Sequence, residues 1–158
     1  MKAVILMGSK ADFEYGKEIS DKLKLFGIES ELRVASAHKT PEHVLEIIRD
    51  YEKEEVVFVT IAGRSNALSG FVDANTTKPV IASPPYSEKF AGVDVFSSIR
   101  MPSGVAPMLV LEAENTALAV AKIFAIKSES VRLAVEEYQR RKKEEIIKAD
   151  REVVHGKR

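Results

Sequence analysis

Ala3-Val4-Ile5-Leu6-Met7-Gly8-Ser9-Lys10-Ala11-Asp12 joins an unbroken apolar run to a polar turn, and the turn opens a helical pattern. Five continuous apolar residues suit a strand buried on both faces. Tyr15, Ile19, Leu23 and Phe26 then recur near helical spacing over 12–26, and Gly27 ends the helix. The unit repeats. Residues 28–34 read as a strand nearer a sheet edge, with Ile28, Leu32 and Val34 on one face. Thr40-Pro41-Glu42 starts a second helix with Thr40 as N-cap, carrying Val44, Ile47, Ile48 and Tyr51. Val56 to Ile61 is a β-branched and aromatic strand. A short helix around 66–74, a strand over 79–82, a short helix over 92–100, a fifth strand over 108–111 and an Ala-rich helix over 113–125 follow. Strand–helix alternation of this kind predicts an α/β domain whose parallel sheet is covered on both faces. Ligands of such folds sit beyond the carboxyl ends of the strands.

The tail is different. Val131, Val135 and Tyr138 form one narrow apolar stripe on an otherwise charged helix over about 128–150, with Glu136–Arg140 and Glu137–Arg141 at pairing distance in sequence. Such a helix is expected to clamp a neighbouring subunit or to lie over the surface. The chain therefore divides into residues 1–126, a catalytic-type domain, and residues 127–158, a helical extension expected in oligomer contacts.

Composition narrows the function. Lys+Arg and Asp+Glu both number 24 in 158 residues, which argues against nucleic-acid binding through bulk charge. There is no Cys, so no thiolate metal site and no Cys nucleophile. No apolar run approaches the ~20 residues that span a bilayer. A cytoplasmic protein with no membrane partner is expected. The three His residues lack the spacing of a zinc site.

Three polar loops follow strands. In the first, Gly8 lets backbone approach a ligand, Ser9 offers a hydroxyl, and Asp12 either caps the helix or accepts from ribose hydroxyls. The second is Ala35-Ser36-Ala37-His38-Lys39-Thr40-Pro41, where a candidate base adjoins a fixed positive charge suited to phosphate. His38 is otherwise a hydrogen bonder at a helix entry. His43 and His155 read as solvated bystanders. The third is Ala62-Gly63-Arg64-Ser65-Asn66-Ala67-Leu68: Gly63 frees backbone donors, Arg64, Ser65 and Asn66 add side-chain donors, or Ser65 and Asn66 merely cap the next helix. Ser83-Pro84-Pro85 and Met101-Pro102-Ser103-Gly104 are expected to complete the rim.

Met7-Gly8-Ser9-x-x-Asp12, Ser36-Ala37-His38-Lys39-Thr40-Pro41 and Met101-Pro102-x-Gly104 together resemble the phosphoribosylaminoimidazole carboxylase family, PurE, over about residues 3–125. The resemblance implies a three-layer α/β/α, flavodoxin-like domain assembled as a homotetramer or homo-octamer. It implies a ribonucleotide substrate in purine biosynthesis. Family members of the mutase branch typically read Gly-Ala-Gly-Gly-Ala-Ala-His-Leu in the third loop. The Arg64-Ser65-Asn66 loop, Lys39 and Ser83-Pro84-Pro85 instead resemble the class II branch, which carboxylates 5-aminoimidazole ribonucleotide (AIR) directly with CO2. Carried over by motif, Gly8, Ser9, Asp12, Ser36, Ala37 and Lys39 surround ribose phosphate, and His38 is the acid/base. Gly63, Arg64 and Ser65 form the CO2 and imidazole wall. No metal, biotin or nucleotide cofactor is implied. The rival readings are the mutase on the same fold and a nucleotide- or flavin-binding module, the latter disfavoured because only Tyr86 and Phe90 stand near a rim to stack a flavin.

Overall fold

The structure is a computed structural model and describes residues 1–156. Its sheet has five parallel strands in the order β2-β1-β3-β4-β5: Lys2–Met7 (β1), Glu29–Val34 (β2), Val56–Ile61 (β3), Val80–Ala82 (β4) and Met108–Leu109 (β5). The helices are Phe13–Lys24 (α1), Pro41–Asp50 (α2), Ala67–Asp73 (α3), Ala113–Ala125 (α4) and Glu129–Val154 (α5).

Alternation along the strands builds two cores, because successive side chains leave opposite faces of a sheet. Ala3, Ile5, Met7, Val57, Val59 and Ile61 meet Ile19 and Leu23 of α1 and Ala117, Val120 and Phe124 of α4. Val4, Leu6 and Phe58 meet Val44 and Ile47 of α2 and Leu68 and Val72 of α3. This is the α/β/α layering expected. Residues such as Ile5 and Phe58 are fully buried. Truncating either to alanine costs roughly 2–5 kcal/mol.

The ends of the first helix follow its punctuation. Gly27 takes φ 69, the left-handed geometry glycine tolerates, while Ile28 N–H returns to the Leu23 carbonyl at 3.2 Å. The beginning differs from expectation. Residues 10–12 form a 3₁₀ turn before α1, because the Ser9 hydroxyl accepts the Ala11 N–H at 3.2 Å and so tightens the entry. The segment expected as a helix over 92–100 is 3₁₀, Val93–Ser98. The fifth strand is two residues long. It stops before Val110-Leu111 because the chain turns at Glu112, which holds φ 68 and ψ 137.

The tail helix is longer than its pattern suggested, and part of its stripe lies inside the domain. Val131 and Val135 are buried in the same core as α1 and α4, and the Tyr138 ring stands 5.2 Å from that of Phe26. Packing therefore continues across position 126/127. A narrow stripe suffices because α5 needs to cover only the exposed side of α4. Of the two expected pairs, Glu137–Arg141 forms at 3.7 Å, but Glu136 is taken by Arg132 at 2.6 Å and Arg140 turns to Glu137 and Glu144. Beyond Lys142 the helix carries the exposed Ile146, Ile147, Val153 and Val154. Among the described residues no helix is long and apolar enough to cross a membrane.

Candidate active site

The register sets the site. Met7 pairs with Val34 on one side and Ile61 on the other, so β1, β2 and β3 end level. The loops that start at Gly8, Ala35 and Ala62 therefore leave the sheet side by side. The chain reverses its direction across the sheet between β1 and β3, where doubly wound folds open a crevice. A cleft of about 610 Å³ lies there. It is lined by Gly8, Ser9, Asp12, Ser36, Ala37, His38, Lys39, Gly63, Arg64 and Ser65, so all ten candidate residues meet in one place.

Each loop is held by its own bonds. Gly8 N–H donates to the Ile61 carbonyl at 2.8 Å, which ties the first loop to the end of β3. Asp12 is half-buried, and burial pushes its carboxyl above the usual range, partly opposed by a hydrogen bond from the Ser9 backbone. Asp12 stands at the N-cap of α1 without a side-chain capping bond, which leaves its carboxylate to face the cleft.

The second loop closes on itself. Thr40 N–H reaches the Ser36 carbonyl at 2.8 Å, and the Thr40 hydroxyl accepts the Ser36 N–H at 3.0 Å. Lys39 N–H points to the Ser36 hydroxyl at 3.3 Å. Thr40 occupies the N-cap position of α2 but makes no side-chain capping bond, because its hydroxyl is spent on this turn. The turn displays His38 and Lys39, both exposed, toward the cleft. His43 lies outside it, paired with Glu46 at 3.1 Å, and His155 meets the Arg151 carbonyl at the far end of α5.

In the third loop Asn66 is structural. Its carbonyl oxygen accepts the Ser69 N–H at 3.2 Å and its amide donates to Ser98 at 2.8 Å. The Arg64 N–H is not a free donor either: it is taken by the Asp94 carboxylate at 2.9 Å. The side chains of Arg64 and Ser65 remain on the cleft.

The rim differs from expectation. Ser83 is fully buried, bonded to Thr116 at 2.7 Å and to the Tyr15 hydroxyl at 3.0 Å, and of Ser83-Pro84-Pro85 only Pro85 reaches the cleft. Met101-Pro102-Ser103-Gly104 does not line it. Met101 packs on α3 instead, so closely that a Cβ at Gly70 would stand 2.9 Å from its sulfur. Phe90 is also absent from the lining, whereas Tyr86, Ser87 and Asp94 join it. Sequence reasoning missed Ser87 because it lies beyond Ser83-Pro84-Pro85 in the loop after β4, and Asp94 because it follows no strand. The only local signal was Gly92 before the 3₁₀ turn, which marks a bend and nothing about its neighbours.

Comparison with known proteins agrees with the fold. The family model described as AIR carboxylase matches residues 2–145, which extends the similarity into α5. The chain is similar to a phosphoribosylaminoimidazole carboxylase of Archaeoglobus fulgidus, 73% identical over 97% of this chain and 85% of that protein. It is similar to a protein of the same name from Treponema denticola, 47% identical over 93% of this chain and 94% of that one. A mouse relative is a bifunctional phosphoribosylaminoimidazole carboxylase/phosphoribosylaminoimidazole succinocarboxamide synthetase, of which this chain spans 31% at 41% identity. Among solved structures, that of Treponema denticola PurE superposes with a TM-score of 0.93 at 46% identity, covering 99% of this chain and 98% of the other. On the family-model match over residues 2–145 and on these relatives, the chain belongs to the AIR carboxylase family.

Proposed function

We propose that this enzyme joins CO2 to C4 of AIR without ATP, in purine biosynthesis, with His38 as the proton-transfer group. The observation that supports the reading most is the meeting of three post-strand loops in one cleft, with a histidine and a cationic side chain on the second loop and a polar wall on the third. Lys39 and the Ser9 and Ser36 hydroxyls are suited to a phosphate, and Asp12 to ribose hydroxyls. Arg64 and Ser65 are suited to the opposite end, where a carboxylate forms.

AIR is an enamine, so C4 is already nucleophilic. The new C4–C bond forms as one C=O π pair of CO2 moves onto oxygen. C4 is then tetrahedral and still carries its hydrogen, the ring is cationic, and the new carboxylate is anionic. A neutral imidazole removes that proton and the C–H pair restores aromaticity, giving the 4-carboxylated ribonucleotide and one H⁺. Positioning CO2 against C4 removes the entropy of a bimolecular encounter, and a placed base adds about 10²–10⁴-fold. No metal, biotin or nucleotide enters this scheme.

We place the enzyme in the cytoplasm as a homotetramer or homo-octamer, with the free half of α5 in contacts between copies. The exposed Ile146, Ile147, Val153 and Val154 support that role. Two parallel assays test the reaction: AIR with bicarbonate and no ATP, and N5-carboxyaminoimidazole ribonucleotide alone. Turnover in the first that rises with dissolved CO2 is expected. Turnover confined to the second overturns the reading in favour of the mutase.

A further inference from the structure

The third loop holds a conformation that its sequence does not favour. Arg64 sits at φ 59, in the left-handed region that side chains other than Asn and Asp rarely enter. Such a residue stays there only if its surroundings hold it. The holder comes from thirty residues downstream. The Asp94 carboxylate accepts the Arg64 N–H at 2.9 Å, a bond strengthened by the full charge on the acceptor. The same oxygen lies against Gly63, 3.4 Å from where a Cβ would stand. The next residues of that segment continue the clamp. The Asn66 N–H donates to the Ser97 hydroxyl at 2.9 Å, and that hydroxyl donates in turn to the Asp94 carbonyl at 2.7 Å. The Ser98 hydroxyl accepts from the Asn66 side chain. Arg64, Ser65 and Asp94 all line the cleft.

We propose that Asp94 is a positioning residue, whose carboxylate holds the left-handed turn at Arg64 and thereby aims the Arg64 and Ser65 side chains at the carboxylate-forming end of the cleft. It acts through a backbone N–H and exchanges no proton with substrate. The functional half of this inference rests on the carboxylation proposed above, but the structural half does not. The first and second loops have their own internal bonds, so loss of Asp94 should spare them.

Asp94→Ala and Asp94→Asn separate the possibilities, because the asparagine side-chain oxygen can still accept the Arg64 N–H. Two readouts are needed. The first is trypsin cleavage of the folded enzyme at Arg64–Ser65, followed by mass. It reports opening of the loop whatever reaction the enzyme performs. The second is steady-state kinetics with AIR and CO2. In Asp94→Ala, cleavage at Arg64 should accelerate about tenfold, and kcat/KM for CO2 should fall about tenfold or more, the size of one charge-assisted bond. KM for AIR should stay within about twofold, since phosphate and ribose contacts lie on the other loops. Asp94→Asn should recover most of both losses. Should Asp94→Ala not fold, Ser97→Ala gives the same readouts by removing the bonds to the Asn66 N–H and the Asp94 carbonyl. Asp94→Asn as inactive as Asp94→Ala, with its loop still protected from trypsin, would make the carboxylate a chemical participant and overturn the proposal. So would an Asp94→Ala enzyme unchanged in both readouts. Wild-type enzyme inert toward AIR and CO2 would sink the reaction assignment, and the trypsin comparison would still decide whether Asp94 holds the loop.

Discussion

Tyr138 of α5 donates its hydroxyl to the carboxylate of Glu114 in the first turn of α4, so the two helices are locked antiparallel at the end where the strands open. Lys142 adds a second hold on Glu114 at 3.0 Å. The Tyr138 hydroxyl, with Lys142 behind it, keeps the Glu114 carboxyl below the usual carboxylate range. The contribution of this contact is therefore complete above the ordinary value of 4.5 and is lost as pH falls through the lowered value. Tyr138→Phe keeps the ring against Phe26 and removes the bond. It should cost about 0.5–1 kcal/mol at neutral pH, modest because the pair is solvent-screened. Thermal melts at pH 7 and pH 3 should show the wild-type advantage shrinking at the lower pH.

The same lock sets where α5 leaves the body. The residues after Lys142 run past the start of α4 toward the cleft end of the domain, twelve of them up to Val154 at about 1.5 Å each, or about 18 Å. Removing residues 143–158 should leave the fold intact and reduce the oligomer in sedimentation velocity. Removing 128–158 should instead expose the core, because Val131 and Val135 go with it. A protein lacking 143–158 that keeps the full assembly would refute the role given to this segment.

His38→Asn keeps a polar side chain on the second loop but cannot exchange a proton near neutral pH. Turnover should drop at least about a hundredfold, the lower end for a lost acid–base group. Affinity for the ribonucleotide should change much less, measured by calorimetry. If the wild type exchanges the C4 hydrogen of AIR with solvent deuterium, the variant should lose that exchange.

Lys39→Ala should weaken ribonucleotide binding by roughly 1.5–3 kcal/mol, one charge-assisted bond to phosphate. The nucleoside lacking phosphate should bind both proteins alike. Equal ribonucleotide affinity in variant and wild type would move the phosphate away from the second loop.

Glu112 holds φ 68 and ψ 137, a region that glycine alone enters without strain. The residue is exposed and makes no capping bond to α4. Glu112→Gly should therefore stabilise the protein by about 1 kcal/mol, the relieved strain less the extra freedom glycine gives the unfolded chain. A lowered melting temperature would mean that the glutamate side chain makes a contact worth more than the strain.

The sequence by itself determined the order of the elements and the edge place of β2, because apolar period, glycine stops and proline starts act within a few residues of themselves. It also determined which loops follow strands, and those three loops brought ten cleft residues with them. Tertiary structure alone decided how the loops are held and who joins them. Thr40 carries a helix-start signature, yet its hydroxyl closes the turn on Ser36. Ser83 and Met101 sit in motifs that suggest a rim, yet one is buried beside Thr116 and the other packs against Gly70. Asp94 belongs to no strand–loop motif and still reaches Arg64 across thirty residues. Local patterns record the backbone conformation a segment prefers. They carry no record of which distant side chain will satisfy a particular N–H, since that depends on where the sheet register and helix packing finally place both partners.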